Sequence, residues 1–217
     1  MKCLAFWAFP PLALLFLLFP EIDLAVAARF WSPEGGFSGS GSPLLAFVRK
    51  PLLDWAVGLA LLASVGGWAW SHLCGAPVPL VRHRRRLAFL ALVLLIGPGL
   101  VVNTLFKDQW GRARPHQVQE FGGARDFTPA WVMSDQCQRN CSFVCGDASV
   151  GFALLAFGYF GRHRRAWIGA GLAAGSLLGL MRIAQGGHFL SDVVFSGYAV
   201  ALVIGLLARW LKPDQPG

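Results

Sequence analysis

Charge is what this sequence has least of. Only 14% of its 217 residues are Asp, Glu, Lys or Arg, whereas 55% are hydrophobic and the mean hydropathy is +0.54. A soluble domain of this length cannot hide that much apolar surface, so the composition excludes a water-soluble globular protein and fits a membrane one. Metal-binding patterns are missing too. No carboxylates are grouped to hold a metal, and Cys137, Cys141 and Cys145, spaced four apart, lack a fourth ligand at zinc-like spacing. The spans also lack the paired broken helices expected of a transporter.

Long uncharged runs are what is present. Crossing a hydrocarbon core of about 30 Å takes roughly 20 mostly apolar residues, and six segments read as spans: Leu4 to Phe19, Pro51 to Leu73, Leu87 to Phe106, about Val144 to Gly161, Ala166 to Ile183 and Phe189 to Leu211. The expectation is an all-α polytopic membrane protein, a six-transmembrane-helix bundle forming a single membrane domain over residues 1–217, with both termini on one side. The fourth span has a short uncharged core, Ala148 to Gly161, and must borrow residues from the preceding loop. The first segment, with Lys2 ahead of it and Ala25-Val26-Ala27 behind, also fits a cleavable signal peptide. Glu21 and Asp23 in the cleavage region favour a retained helix that ends at the outer interface.

Orientation follows from the short basic loops. Arg82, Arg84, Arg85 and Arg86 form one cluster and Arg162, Arg164 and Arg165 another, which puts both loops and both termini in the cytoplasm. The +8 net charge is then a topology signal and not a nucleic-acid site. The loops 28–50 and 107–143 and the turn 182–188 face outward. Trp55, Trp68, Trp70, Trp167 and Trp210 fall near span ends as interfacial anchors. Gly171, Gly175 and Gly179 share one helical face, a close-packing stripe.

Ionisable residues gather on that outward face. Lys107, Arg112 and Arg114 follow the third span, Gly146 and Asp147 precede the fourth, and Arg182, His188 and Asp192 join the last two. Such groups at membrane depth are expensive and usually functional. His188 and Asp192, at i and i+4, share a face, so the carboxylate can accept the Nδ1 proton and leave Nε2 free as nucleophile or base, although the same spacing also fits a structural ion pair. Lys107, Arg114 and Arg182 suit a phosphate dianion, and Gly146 lets backbone N–H groups at a helix start join them.

These motifs resemble the type 2 phosphatidic acid phosphatase superfamily. Lys107 through Arg114-Pro115 matches its first motif, and Arg182, His188 and Asp192 match its third. The resemblance covers about residues 50–211 as a lipid phosphatase core. It implies a metal-independent phosphoric monoester hydrolase of the bacterial inner membrane, with no cofactor, a periplasmic active site and a phosphohistidine intermediate. Its partners would be the bilayer and a phosphorylated membrane lipid. His188, Asp192 and Asp147 would be catalytic, with Lys107, Arg114, Arg182, Cys145 and Gly146 binding substrate.

One motif departs from the family. Where the family has Pro-Ser-Gly-His, this chain has Val144-Cys145-Gly146-Asp147, so Asp147 takes the place of the proton-donating His; His116 is the alternative donor. The Ser that opens the third motif is replaced by Met181. Cys145 takes the position of a phosphate-contacting Ser, which favours a disulfide between Cys137 and Cys141. The stretches Lys107 to Arg112 and Asn140 to Phe143 look like the branch acting on lipid A at its 4'-phosphate. Undecaprenyl diphosphate or phosphatidylglycerol phosphate are the alternative substrates, and a phospholipid-binding member that has lost catalysis is the alternative class.

Overall fold

Prolines decide where this apolar chain bends. The structure, a computed structural model, describes residues 4–161 and 163–215, so Lys2 and Arg162 of the sequence reading lie outside the described residues. α1 (Leu4–Leu18) stops short of Pro20, a residue that disfavours helix just before it, and α2 (Glu21–Ala28) restarts at 78° to it. α2 buries Asp23 and Ala27 and packs against the last helix of the chain. A two-residue hairpin follows, β1 (Trp31–Ser32) antiparallel to β2 (Gly36–Phe37), the only sheet among the described residues.

α3 (Pro43–Phe47) widens into a π-helical turn at Val48–Leu52, where Pro51 removes a donor from the ladder, and continues as α4 (Leu53–Trp70). After the short α5 (Val78–Arg82), α6 (Arg84–Leu94) runs on through a second wide stretch, Leu95–Phe106, around Pro98. The loop 107–145 contains only two 3-10 turns, Pro115–Gln117 and Gln119–Phe121. α7 (Gly146–Phe152) passes into a 3-10 segment, Ala153–Tyr159, before α8 (Arg164–Ala184) and α9 (Leu190–Leu211).

Among the described residues, four helices are long and apolar enough to cross a membrane: Pro43–Trp70, Arg84–Phe106, Arg164–Ala184 and Leu190–Leu211. The bent α1–α2 pair makes a fifth if counted as one span. The segment read as the fourth span is shorter, 7 α-helical and 7 3-10 residues, which at their respective rises extend about 25 Å. Trp55, Leu59 and Leu62 of α4, Leu172 and Leu177 of α8, and Leu202 and Leu206 of α9 are exposed. Lipid tails cover such surfaces without penalty, and the chain is an all-α membrane protein. Trp68, Trp70, Trp167 and Trp210 are likewise exposed near helix ends, whereas Trp55 is exposed in the middle of the continuous Pro43–Trp70 helix.

The centre of the bundle is tight because glycines allow it. A Cβ on Gly151 would meet the Gly175 nitrogen at 2.6 Å, one on Gly171 would meet Leu155, and one on Gly179 would strike Val193. α8 therefore lies directly on α7 and α9 along the stripe expected from the sequence. Phe89, Val93, Val102, Phe143, Val144, Ala148, Phe195, Val200 and Ile204 fill the core beside it.

Candidate active site

Three chain segments meet where α6, α7, α8 and α9 present their ends. Backbone bonds join them: Cys141 N donates to the Lys107 carbonyl (3.0 Å), Ser142 N to the Arg112 carbonyl (2.9 Å) and Cys145 N to the Asp192 carbonyl (3.0 Å). Cys137 and Cys141 are disulfide-bonded with Cα atoms 5.6 Å apart, closing a short loop at the start of the Asn140 to Cys145 strip. Gly111, at φ +69°, turns the chain so closely against Ser134 that no Cβ would fit.

His188 lies in the link between α8 and α9 and is 1% exposed. The i, i+4 spacing predicted a proton shared with Asp192. In the structure Nδ1 sits 2.7 Å from the Ser142 carbonyl and 3.6 Å from Asp192 Oδ2, so the carbonyl takes the hydrogen bond. Asp192 instead caps its own helix, accepting from Phe189 N (2.8 Å), Ser142 Oγ (2.5 Å) and Arg112 Nη1 (2.7 Å). Either acceptor fixes the same tautomer, with Nε2 unprotonated. Burial holds the His188 pKa down at about 4, Asp192 opposes that, and the charges of Arg114 and Lys107 reinforce it. The imidazole is thus neutral at pH 7.

The cations surround the start of α7. A Cβ on Gly146 would come within 2.6 Å of Lys107 Nζ, so the ammonium lies over the helix N-terminus and any larger residue would have to push it aside. Arg114 donates through Nε and Nη2 to the Asn140 carbonyl at 3.2 and 2.8 Å. Arg182, 3% exposed, donates to Gln185. Burial lowers the pKa of Lys107 and of Arg114, and the Arg182 charge lowers Arg114 further. Mutually repelling, desolvated cations of this kind can attract an anion.

Asp147 is the only carboxylate in ion-pair contact with these three cations among the described residues: Oδ2 stands 2.8 Å from Arg182 Nε, without the alignment of a hydrogen bond. Cys145 is a buried free thiol at the N-cap of α7. His116 is tied elsewhere, its Nδ1 2.8 Å from the Gly186 carbonyl. No cluster of three or more His, Cys, Asp or Glu side chains able to hold a metal occurs among the described residues.

Several residues of the site carried no assigned role in the sequence reading. Arg49, half-buried in the π-helical turn, adds its charge to the surroundings of Arg114. Ser142 connects His188 to Asp192. Arg112, fully buried, binds both Asp192 and Asp23, and the facing carboxylates outweigh burial to raise its pKa. The signal for Asp23 was present, a carboxylate that with Glu21 opens an otherwise apolar helix.

The ends of these helices remote from His188 carry the Arg clusters. Arg84 opens the 23-residue helix that leads to Lys107, and Arg164 opens the 21-residue helix that bears Arg182, which separates clusters from site by about 30 Å.

Residues 86–215 match the family described as PAP2 superfamily. The lipid A 4'-phosphatase of Francisella tularensis subsp. novicida (strain U112) is 41% identical over 207 residues, covering 91% of this chain and 87% of that protein. The lipid A 4'-phosphatase of Rhizobium leguminosarum is 33% identical over 228 residues, covering 98% and 97%, and that of Rhizobium etli is also 33% identical. No solved structure matches.

Proposed function

The chain belongs to the PAP2 superfamily, and from that premise we propose that it is a membrane lipid phosphatase, with the 4'-phosphate of lipid A as its substrate. One observation carries the reading: the neutral, buried His188 lies beside the desolvated cations Lys107, Arg114 and Arg182. The three relatives named as lipid A 4'-phosphatases support the choice of lipid.

In the proposed reaction Lys107, Arg114 and Arg182 hold the non-bridging phosphate oxygens, helped by N–H groups at the start of α7. His188 Nε2 forms a bond to phosphorus while the phosphorus–oxygen bond to the lipid breaks, its electron pair leaving on the lipid oxygen. Asp147 supplies the proton for that oxygen. A water then attacks the phosphohistidine, giving its proton back to Asp147 and releasing inorganic phosphate. The charge of the transferring group is met by side chains, and no metal is assigned a step. Asp192 and Ser142 hold the ring.

The six-span topology belongs to the same proposal. If the bent α1–α2 pair and residues 146–159 each count as one crossing, six result, with termini and Arg clusters cytoplasmic and the site periplasmic. Lipid tails would stay in the bilayer while the head group enters the cradle. One observation favours a second reading, a binding member without turnover: Asp147 stands where the family has its donor His, and it is paired with Arg182. Purified chain offered lipid A, undecaprenyl diphosphate and phosphatidylglycerol phosphate separates these possibilities. Phosphate release from lipid A above the other two supports the reading; binding without release from any supports the second.

A further inference from the structure

Asp23 is fully buried, yet it comes from α2, outside the residues that match the family. Its Oδ2 lies 2.8 Å from Arg112 Nη2, and its Oδ1 accepts from Ser191 N, in the first turn of α9, at 2.8 Å. Ser191 Oγ, which also donates to Asp23, in turn accepts from Arg112 Nη1 at 2.8 Å. Arg112 is fully buried, with the Phe189 ring 4.4 Å and the Phe127 ring 5.4 Å from its guanidinium carbon, and it donates through Nε to the Thr128 carbonyl at 2.8 Å. Its remaining partner is Asp192 Oδ1 at 2.7 Å.

One cation thus stands between two carboxylates in a region without exposed atoms. Were Arg112 paired with Asp192 alone, the pair would be neutral; Asp23, whose oxygens accept from Arg112 Nη2, Ser191 N and Ser191 Oγ, adds a second carboxylate that in its ionised form leaves the cluster net negative beside His188. We propose that Asp23 is a positioning residue for His188: it balances Arg112, so that Asp192 and Ser142 keep net negative character toward the ring that takes up positive charge on phosphorylation. The inference rests on His188 being the nucleophile. The same network makes α2 part of the support of the site and not merely the end of a membrane anchor.

A merely structural ion pair would lower stability when broken but would not discriminate the transition state from the ground state. The test therefore compares two inhibitors of the purified full-length chain: inorganic phosphate, a ground-state mimic, and vanadate, whose bipyramidal form bonded to a ring nitrogen mimics the transition state. Asp23→Asn keeps the shape, removes the charge and turns one accepting oxygen into a donor, whereas Asp23→Glu keeps the charge and both acceptors. We expect kcat on lipid A to fall about 10- to 30-fold and vanadate inhibition to weaken by a similar factor, with KM and phosphate inhibition changed less than about threefold. Asp23→Glu should bring the vanadate-to-phosphate ratio back to within about threefold of wild type, and in an Asp192→Asn background Asp23→Asn should add less than about threefold.

Wild-type kcat and vanadate inhibition in Asp23→Asn overturn the inference, as does equal weakening of both inhibitors. If Asp23→Asn yields no folded protein, Asp23→Glu carries the test alone, and loss of its vanadate preference overturns the idea. His188→Ala separates the two levels. Full turnover in that variant removes the nucleophile reading and this inference with it, whereas His188-dependent turnover that ignores Asp23→Asn removes this inference alone.

Discussion

Asp147 Oδ2 stands 2.8 Å from Arg182 Nε, so the acidic side chain of the cradle is paired with one of its cations. An arriving phosphate competes for the same guanidinium. Once Arg182 turns to phosphate oxygens, the Asp147 carboxyl group loses its partner and is released beside the phosphate.

Asp147→Asn tests that role. The account expects hydrolysis of lipid A to slow about 100-fold or more, since general acids contribute roughly that much, while p-nitrophenyl phosphate, whose leaving group needs no proton, slows far less. Steady-state rates on both substrates decide. Equal loss on both would make Asp147 a positioning group for Arg182, and no loss on either would move the donor role to another residue, His116 first.

Gly146→Ala probes the cradle from its floor. The new methyl would come within 2.6 Å of Lys107 Nζ and 2.8 Å of Asn103 Oδ1, so the ammonium must move off the α7 N-terminus. The expected result is a loss of about tenfold or more in kcat/KM with little change in the thermal midpoint, because the displaced group is the flexible end of a lysine. Unchanged kcat/KM would mean that Lys107 does not sit on the phosphate.

How much of this could be read from sequence differs by element. The spans from Arg84 to Phe106 and from Leu190 to Leu211 were legible because hydropathy is set locally, residue by residue. The short fourth segment was legible only as short: its extension depends on packing against the glycines of α8, a tertiary matter. Lys107, Arg114, Arg182 and His188 were legible from motif spacing. The partner of His188 Nδ1 was not, because the Ser142 carbonyl belongs to a loop 46 residues away that no periodicity brings near. Asp23 was legible as a carboxylate in an apolar segment, but its partner was hidden for the same reason, the contact with Ser191 spanning 168 residues.

Burial of His188 has a consequence for pH. Its folded pKa of about 4 lies below the usual 6.5, so between those values the unfolded chain takes up a proton that the native state refuses. Stability contributed by this group is therefore complete above pH 6.5 and is lost as pH falls toward 4, by about 3 kcal/mol in all. Thermal unfolding in detergent should show a steeper decline over this window in wild type than in His188→Gln, which has no proton to take up. Parallel curves would mean that the ring is not held neutral. The same shift keeps the nucleophile unprotonated, so the acidic limb of kcat/KM should not be set by a group near 6.5.

Orientation can be read with cysteine chemistry. Cys74 is a free, exposed thiol at the end of the bundle that carries Arg82 to Arg86, and Glu120 is exposed in the loop at the other end. In intact cells with an opened outer membrane, an impermeant maleimide should label Glu120→Cys in a Cys74→Ser background and leave Cys74 of the wild type unlabelled. The opposite pattern would place the site in the cytoplasm.

In the proposed reaction His188 carries the phosphoryl group between lipid and water. Phosphohistidine survives alkali and is hydrolysed in acid, so purified chain mixed with lipid A labelled at its 4'-phosphate and quenched in alkali gives the most direct reading. The account predicts acid-labile label on the peptide that contains His188, none in His188→Ala, and loss of turnover in that variant with its membrane insertion intact. Label on another residue, or turnover near the wild-type rate in His188→Ala, would contradict it.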